Sequence, residues 1–212
     1  MNRFAILLFP LFILFGCKNP NQNADLSDVG LSYKPNILWL STEDIGCYIA
    51  AYGDSTVETP NIDKLAAEGV VFENAFTVAG QCAPSRFSII SGMYPASTGA
   101  SNMRTWGRKL PGSIRYYPEY LMDAGYYCTN NSKTDYAFTE PKHETLWNET
   151  SPRAHYNKRP KDQPFFAIFN YTGTHESRFF DNQKELYVNP EEVPVPPYYA
   201  DNDTIRKDLA IN

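Results

Sequence analysis

Between positions 37 and 40 the chain carries an unbroken apolar run, Ile37-Leu38-Trp39-Leu40, directly after Lys34-Pro35-Asn36. A run without polar alternation predicts a strand buried on both faces of a parallel sheet. A helix is predicted from Pro60 to Glu68: Thr59 suits the N-cap, Pro60 the first helical position and Gly69 the stop. Val70-Val71-Phe72 predicts a second strand, Tyr117 to Ala124 with Gly125 behind it another helix, and Tyr126 to Thr129 a third strand. Pro164 to Asn170 predicts a fourth. Strands alternating with helices give an α/β fold, a mostly parallel sheet flanked by helices with functional groups at the strand ends. Asn189 to Ala200, with four prolines, predicts an extended surface segment, and Asp203 to Leu209 the start of a helix.

The first residues have a different logic. Met1-Asn2-Arg3 is a short positive segment and Phe4 to Phe15 an apolar one. That is shorter than the roughly 20 residues a membrane span needs, so residues 1–16 read as a signal peptide. Leu14-Phe15-Gly16-Cys17 resembles a bacterial lipobox, which implies cleavage before Cys17 and acylation of its thiol. Residues 17–33, rich in Asn, Asp and Ser, then form a tether to a folded part at 34–212. The expected location is the periplasm or cell surface, with lipid on Cys17 holding the protein to the outer-membrane bilayer. A hydrophobic fraction of 42% with 15% aromatics suffices for a packed core, and a net charge of −5 leaves no footprint for nucleic acid. With Cys17 lipidated, Cys47, Cys82 and Cys128 are an odd number in an exported chain, which points to a free or modified thiol.

Cys82-Ala83-Pro84-Ser85-Arg86 supplies a setting for such a thiol. A chance match to C-x-P-S-R in a chain of this length is on the order of one in a thousand. A helix beginning near Pro84, with Phe87, Ile89 and Ile90 inward and Gly92 near its end, puts Cys82 just before a helix N-terminus, where backbone N–H groups favour an anion. Arg86, one turn on, adds a fixed positive fork. A nucleophile beside an anion site is what attack on a charged ester needs. Continued by Ser91-Gly92-Met93-Tyr94-Pro95, the segment resembles the signature of type I sulfatases, which have an alkaline-phosphatase-like fold. The resemblance implies that Cys82 is converted to formylglycine, whose hydrate attacks sulfur with one hydroxyl while the other later expels sulfate. It also implies a partner, a formylglycine-generating or anaerobic sulfatase-maturating enzyme, that reads Pro84 and Arg86.

The resemblance runs from about Pro35 to the C-terminus. Thr42-Glu43-Asp44-Ile45-Gly46 matches the paired carboxylates that hold calcium in sulfatases, with Glu43 where the family usually has aspartate. The implied metal ligands are Glu43, Asp44 and the converted Cys82, and hard oxygen donors at a strand end suit calcium. Lys133, in Asn131-Ser132-Lys133-Thr134-Asp135, matches a lysine that contacts sulfate and formylglycine. Asp135 stands where a histidine is usual, as a variation or a further ligand. His175, in Thr174-His175-Glu176, matches a histidine that contacts sulfate or the leaving group. The implied catalytic set is therefore Cys82, Arg86, Lys133 and His175. His143 and His155 have no such match and read as surface residues. Cys47 and Cys128 read as small apolar groups, with a disulfide between them left open.

Trp39 to Asp44, Lys133 to Asp135 and Thr174 to Glu176 most resemble bacterial sulfatases related to heparan N-sulfatase, which implies a sulfated polysaccharide or oligosaccharide substrate. Tyr116, Tyr117, Tyr126, Tyr127, Tyr198 and Tyr199 offer either sugar-stacking surfaces or core packing. The Asn-x-Ser/Thr matches at Asn130, Asn148, Asn170 and Asn202 are read as inert in a bacterial lipoprotein. The family's second pair of metal ligands and its smaller C-terminal domain have no match after Ile205. The expectation is a catalytic domain incomplete at the C-terminus and inactive by itself. Two other classes stay open: a formylglycine-dependent phosphodiesterase or phosphonate monoester hydrolase, and a non-catalytic glycan-binding lipoprotein.

Overall fold

Parallel pairing places the four strands in the order β1-β4-β2-β3, with β1 at Ile37–Thr42, β2 at Tyr127–Asn131, β3 at Glu149–Thr150 and β4 at Phe165–Tyr171. The computed structural model describes residues 33–103, 109–180, 186 and 188–211. The leader, Cys17 and all of the tether but Tyr33 lie outside the described residues. Residues Pro35–Asn212 form one unit.

The helices are α1 at Pro60–Glu68, α2 at Cys82–Ser91, α3 at Pro95–Thr98, α4 at Tyr117–Asp123 and α5 at Asp203–Ile211. α1 has the expected bounds, though the Thr59 hydroxyl donates to Asp63 at 3.0 Å and leaves the helical N–H groups uncapped. α2 begins earlier than predicted. Gln81 is its N-cap and Cys82 its first helical residue, while Gly92 ends it at φ 68°, a conformation glycine adopts without strain.

Register sorts the side chains. Ile37 pairs with Phe166, Trp39 with Ile168 and Ser41 with Asn170, while Cys128 pairs with Phe166 and Asn130 with Ile168. In parallel strands such partners share a face, so this face carries Trp39, Phe166, Ile168 and Cys128, and towards the carboxyl ends Ser41, Asn130 and Asn170. α2 and α4 cover it. Phe87 and Ile90 of α2 join Tyr116, Tyr126, Tyr136, Phe138, Leu146, Trp147, Phe166 and Ile168 in one buried cluster. Tyr117 of α4 lies edge-on to Phe166 at 5.4 Å and stacks on Trp39 at 6.4 Å. On the opposite face Tyr156 stacks on Phe165 at 4.2 Å and His155 meets Phe169 at 5.5 Å.

Several expectations change here. Of the strands with an unbroken apolar run, β4 lies between β1 and β2 and buries Phe166, Ala167 and Ile168. β1 is at the sheet edge, and Leu38 and Leu40 are 51% and 60% exposed. Val70-Val71-Phe72 is exposed and forms no strand, because no described strand runs beside it to take its backbone hydrogen bonds. Ile89 faces outward from α2, since the helical period puts Phe87 and Ile90 on the buried stripe. His143 is no surface residue: its ring is hydrogen-bonded to the Phe138 carbonyl at 2.8 Å and packed on Tyr136 and Phe138. His155 is likewise half-buried between Tyr156 and Phe169. Cys128 is buried but Cys47 is exposed, and both are free thiols, which removes the disulfide. Tyr116 and Tyr126 are core residues, whereas Tyr198 and Tyr199 are exposed. Asn189 to Ala200 has no strand or helix, as expected, yet it buries Val193.

Truncating a large buried ring loses both its transfer energy and its packing, so Phe87→Ala should cost about 3–5 kcal/mol, measured as a shift in the denaturant midpoint. The neighbouring Ile89→Ala should cost under about 1 kcal/mol, because that side chain is already half in water.

Candidate active site

The carboxyl ends of β1, β2 and β4 open on the same edge of the sheet, where loops rather than ladders set side-chain positions. Glu43 and Asp44 follow β1, Lys133 follows β2 and His175 follows β4. α2 lies over this edge and contributes Cys82 and Arg86. Glu43, Asp44, Cys82 and Arg86 line one cleft of about 370 Å³, with Ser41, Asn130, Asn170 and Tyr117 among its other walls.

Glu43 is the centre of the charge arrangement. It is 5% exposed, and its two oxygens are divided between two cations: Oε1 takes Arg86 Nη2, and Oε2 takes Lys133 Nζ at 2.6 Å. Burial pushes the Glu43 carboxyl up, but the hydrogen bonds and charges of Lys133 and Arg86 outweigh it and hold the group below its ordinary value. Its backbone is clasped as well. The Glu43 amide donates to Thr174 Oγ1 at 3.1 Å, and that hydroxyl donates back to the Glu43 carbonyl at 2.5 Å.

Asp44 adopts a left-handed backbone at φ 48°, which acidic residues tolerate better than most, and its Oδ2 accepts the Glu176 amide at 2.8 Å. His175 Nε2 lies 4.0 Å from the same oxygen. His175 Nδ1 accepts the Ser177 amide at 3.1 Å, so the neutral ring carries its proton on Nε2, facing Asp44. Carboxylate oxygens of Glu43 and Asp44 and a ring nitrogen of His175 lie within 4.8 Å of one another, the one such group among the described residues, and in this tautomer the two carboxylates are its free donors. The two carboxylates are hard donors, and each oxygen of Glu43 keeps a second lone pair beyond its ion pair, so the donor set fits calcium. The Cys82 sulfur lies in the cleft but outside that group. Its thiol points at Met103 Sδ, 3.8 Å away.

All six residues expected from the sequence therefore meet at one edge, but one of them, Arg86, works differently, and Asp135, the variant position beside Lys133, has a different role from a further ligand. Arg86 was expected to aim its fork at a bound anion. Its two Nη groups are committed to protein instead: Nη2 to Glu43, and Nη1 to Asn170 Oδ1 at 2.9 Å and the Lys133 carbonyl at 3.4 Å. Asp135 is a counter-ion to Lys133 at 3.7 Å and does not join the Glu43–Asp44–His175 group. Asn130 and Asn170 are the residues that sequence reasoning missed. A signal existed, because both are amides near the carboxyl end of a strand, Asn170 after the apolar run Phe165 to Phe169, where a buried polar group needs a partner.

A sulfatase family model matches residues 35–206. The chain is 46% identical over 193 residues to an ulvan-active sulfatase of Formosa agariphila, a match covering 84% of this chain and 32% of that protein. A structure solved in complex with its substrate D-glucosamine-2-N,6-O-disulfate superposes with a TM-score of 0.57 at 21% identity, over 69% of this chain and 36% of that one. The phosphonate monoester hydrolase of Agrobacterium radiobacter does so with a TM-score of 0.57 at 17% identity, over 76% and 45%. The chain thus spans less than half the length of each. At these identities the two structures speak for the fold, the alkaline-phosphatase-like parallel sheet with flanking helices.

Removing the Glu43 charge by Glu43→Gln leaves two part-buried cations facing an amide, and should destabilise the chain by about 3 kcal/mol. The folded carboxyl ionises at lower pH than the unfolded one, so its contribution is complete above the ordinary value of 4.5 and fades as pH falls through the folded value. Urea midpoints measured across that acid range should fall for the native chain and change less for Glu43→Gln. Burial pushes the Cys128 thiol up to about 12, so iodoacetamide at neutral pH should label Cys47 and spare Cys128 until the chain is unfolded, as read by peptide mass spectrometry.

Proposed function

Because this chain belongs to the sulfatase family, we propose that it provides the nucleophile and cation site of a sulfuric ester hydrolase acting on a sulfated glycan. The observation that carries this reading is the placement of Cys82 at the first position of α2, in one cleft with Glu43, Asp44 and Arg86. Formylglycine made from Cys82 supplies, as its hydrate, an oxygen nucleophile that thiol chemistry lacks. Calcium held by Glu43, Asp44 and the modified residue 82 supplies positive charge against the sulfate oxygens.

The chain's own groups do the rest. First-turn N–H groups of α2 favour negative charge beside residue 82. Lys133, steadied by Glu43 and Asp135, holds a cation at the cleft margin. His175 keeps an N–H on Nε2 at the rim beside Asp44, where it can hydrogen-bond the leaving-group oxygen or nitrogen as charge builds on it. The glycan assignment takes support from the relative named for its activity on ulvan.

Maturation precedes folding in this scheme. Ala83 and Pro84 are buried and residues 82–86 are helical, so an enzyme that reads Cys-x-Pro-Ser-Arg needs that segment extended and open. Export with lipid on Cys17, to the periplasmic or outer surface of the outer membrane, completes the proposal and rests on the leader sequence alone.

Protein made in a maturation-competent host should show residue 82 lighter than cysteine by peptide mass spectrometry. A protein that joins this chain to the remainder of a sulfatase catalytic domain should hydrolyse an aryl sulfate in a calcium-dependent way, with Cys82→Ala lowering turnover on the order of a thousandfold or more. An unconverted thiol in an active preparation sinks the nucleophile assignment. Faster turnover of an aryl phosphodiester than of the sulfate moves the chain to the phosphonate-hydrolase class.

A further inference from the structure

Asn130 and Asn170 hold the most heavily bonded polar side chains of the cleft, yet neither has a part in the chemistry above. Asn170 Oδ1 accepts from Arg86 Nη1 at 2.9 Å and from Ser41 Oγ at 2.9 Å. Its Nδ2 donates to Asn130 Oδ1 at 2.9 Å and to the Asn131 carbonyl at 3.2 Å. Asn130, 1% exposed, uses its own Nδ2 on the Ser132 carbonyl at 2.7 Å, on Thr150 Oγ1 at 3.0 Å and on the Lys133 carbonyl at 3.5 Å. Each amide therefore has one orientation that satisfies its neighbours. Flipping Asn170 sets its NH2 against the guanidinium and its oxygen against two acceptors.

A guanidinium beside a carboxylate tends to close on it with both nitrogens. Arg86 does not. Asn170, with help from the Lys133 carbonyl, takes Nη1, so only Nη2 reaches Glu43. We infer that the Asn130–Asn170 amide pair is a positioning device that splits the Arg86 fork and so keeps Glu43 available to a divalent cation. Resting on the calcium reading above, the inference adds residues to it: Asn170 acts on the metal site through Arg86, and Asn130 acts by fixing which end of the Asn170 amide faces the arginine. Without the amide acceptor, the fork closes on Glu43 and competes with the metal for it.

Calorimetric titration of calcium chloride into the purified full chain tests this. Asn170→Ala should weaken calcium about tenfold, the scale expected when a group supporting a ligand is removed. Arg86→Met removes the competitor and should tighten binding. In that background Asn170→Ala should have no further effect, since a residue that acts only through Arg86 loses its lever with it. Wild-type affinity in Asn170→Ala, or an equal loss in both backgrounds, overturns the inference. Should Asn170→Ala fail to show a folded thermal transition, Asn170→Asp keeps the acceptor and should bind calcium at least as tightly as wild type; weaker binding overturns the inference. A second readout needs no metal. In ¹⁵N-edited spectra the Arg86 Nη signals, identified by their loss in Arg86→Met, should be distinct in wild type, and Nη1 should shift in Asn170→Ala. If wild type takes up no calcium, the calcium reading falls, while the arginine signals still decide whether the fork is split; an unchanged Nη1 refutes it.

Discussion

A single buried carboxylate, Glu43, joins the segments that make up the cleft. It sits directly after β1, takes Arg86 from α2 with one oxygen and Lys133 from the loop after β2 with the other, and is clasped through its backbone by Thr174 after β4. Each ion contact is worth on the order of 5 kcal/mol of attraction at an effective dielectric near 20. Removing each ion from water costs several kcal/mol in return. The net gain in stability is small, but the geometry is not negotiable, because any partner left alone would keep the cost and lose the attraction. That asymmetry, more than bond strength, holds three strand ends and one helix in a fixed relation.

The sheet makes this possible through its register. Parallel pairing places Ser41 opposite Asn170 and Asn130 opposite Ile168, so the three polar side chains emerge on the face beneath α2. Apolar packing of Phe87 and Ile90 on the same face fixes how α2 lies, and therefore where Arg86 and Cys82 come down. Packing and chemistry share one helix: its buried stripe anchors it, and its first turn and Arg86 border the cleft. Arg86 is consequently a strut between Glu43 and Asn170, and the cationic charge of the cleft is balanced within the protein itself.

Local signals carried much of this. The bounds of α1, the start of α4 and the strands at β1, β2 and β4 were legible, because helix caps and apolar runs are properties of short segments, whereas the meeting of Glu43, Asp44, Cys82, Arg86, Lys133 and His175 was legible only through the resemblance to sulfatases. Burial was not. The apolar runs at β1 and β4 look alike in sequence, and only the strand order makes β4 central and leaves Leu38 and Leu40 in water. Val70-Val71-Phe72 has strand composition and no strand, since a strand exists only where another pairs with it. His143 and His155, set in polar sequence, are drawn inward by aromatic neighbours that the sequence does not place beside them.

The amino-acid sequence by itself determined the element types and the family-bearing residues, because propensity, periodicity and motif spacing act over a few positions. Tertiary structure alone decided the partners: that both Nη nitrogens of Arg86 are spent on protein acceptors, that Asp135 pairs with Lys133, and that two asparagines read from sequence as inert set the arginine's orientation. Those contacts join residues 40 to 90 positions apart, apart from the local Lys133–Asp135 pair, and hydrogen-bond direction exists only once the strands have been brought side by side.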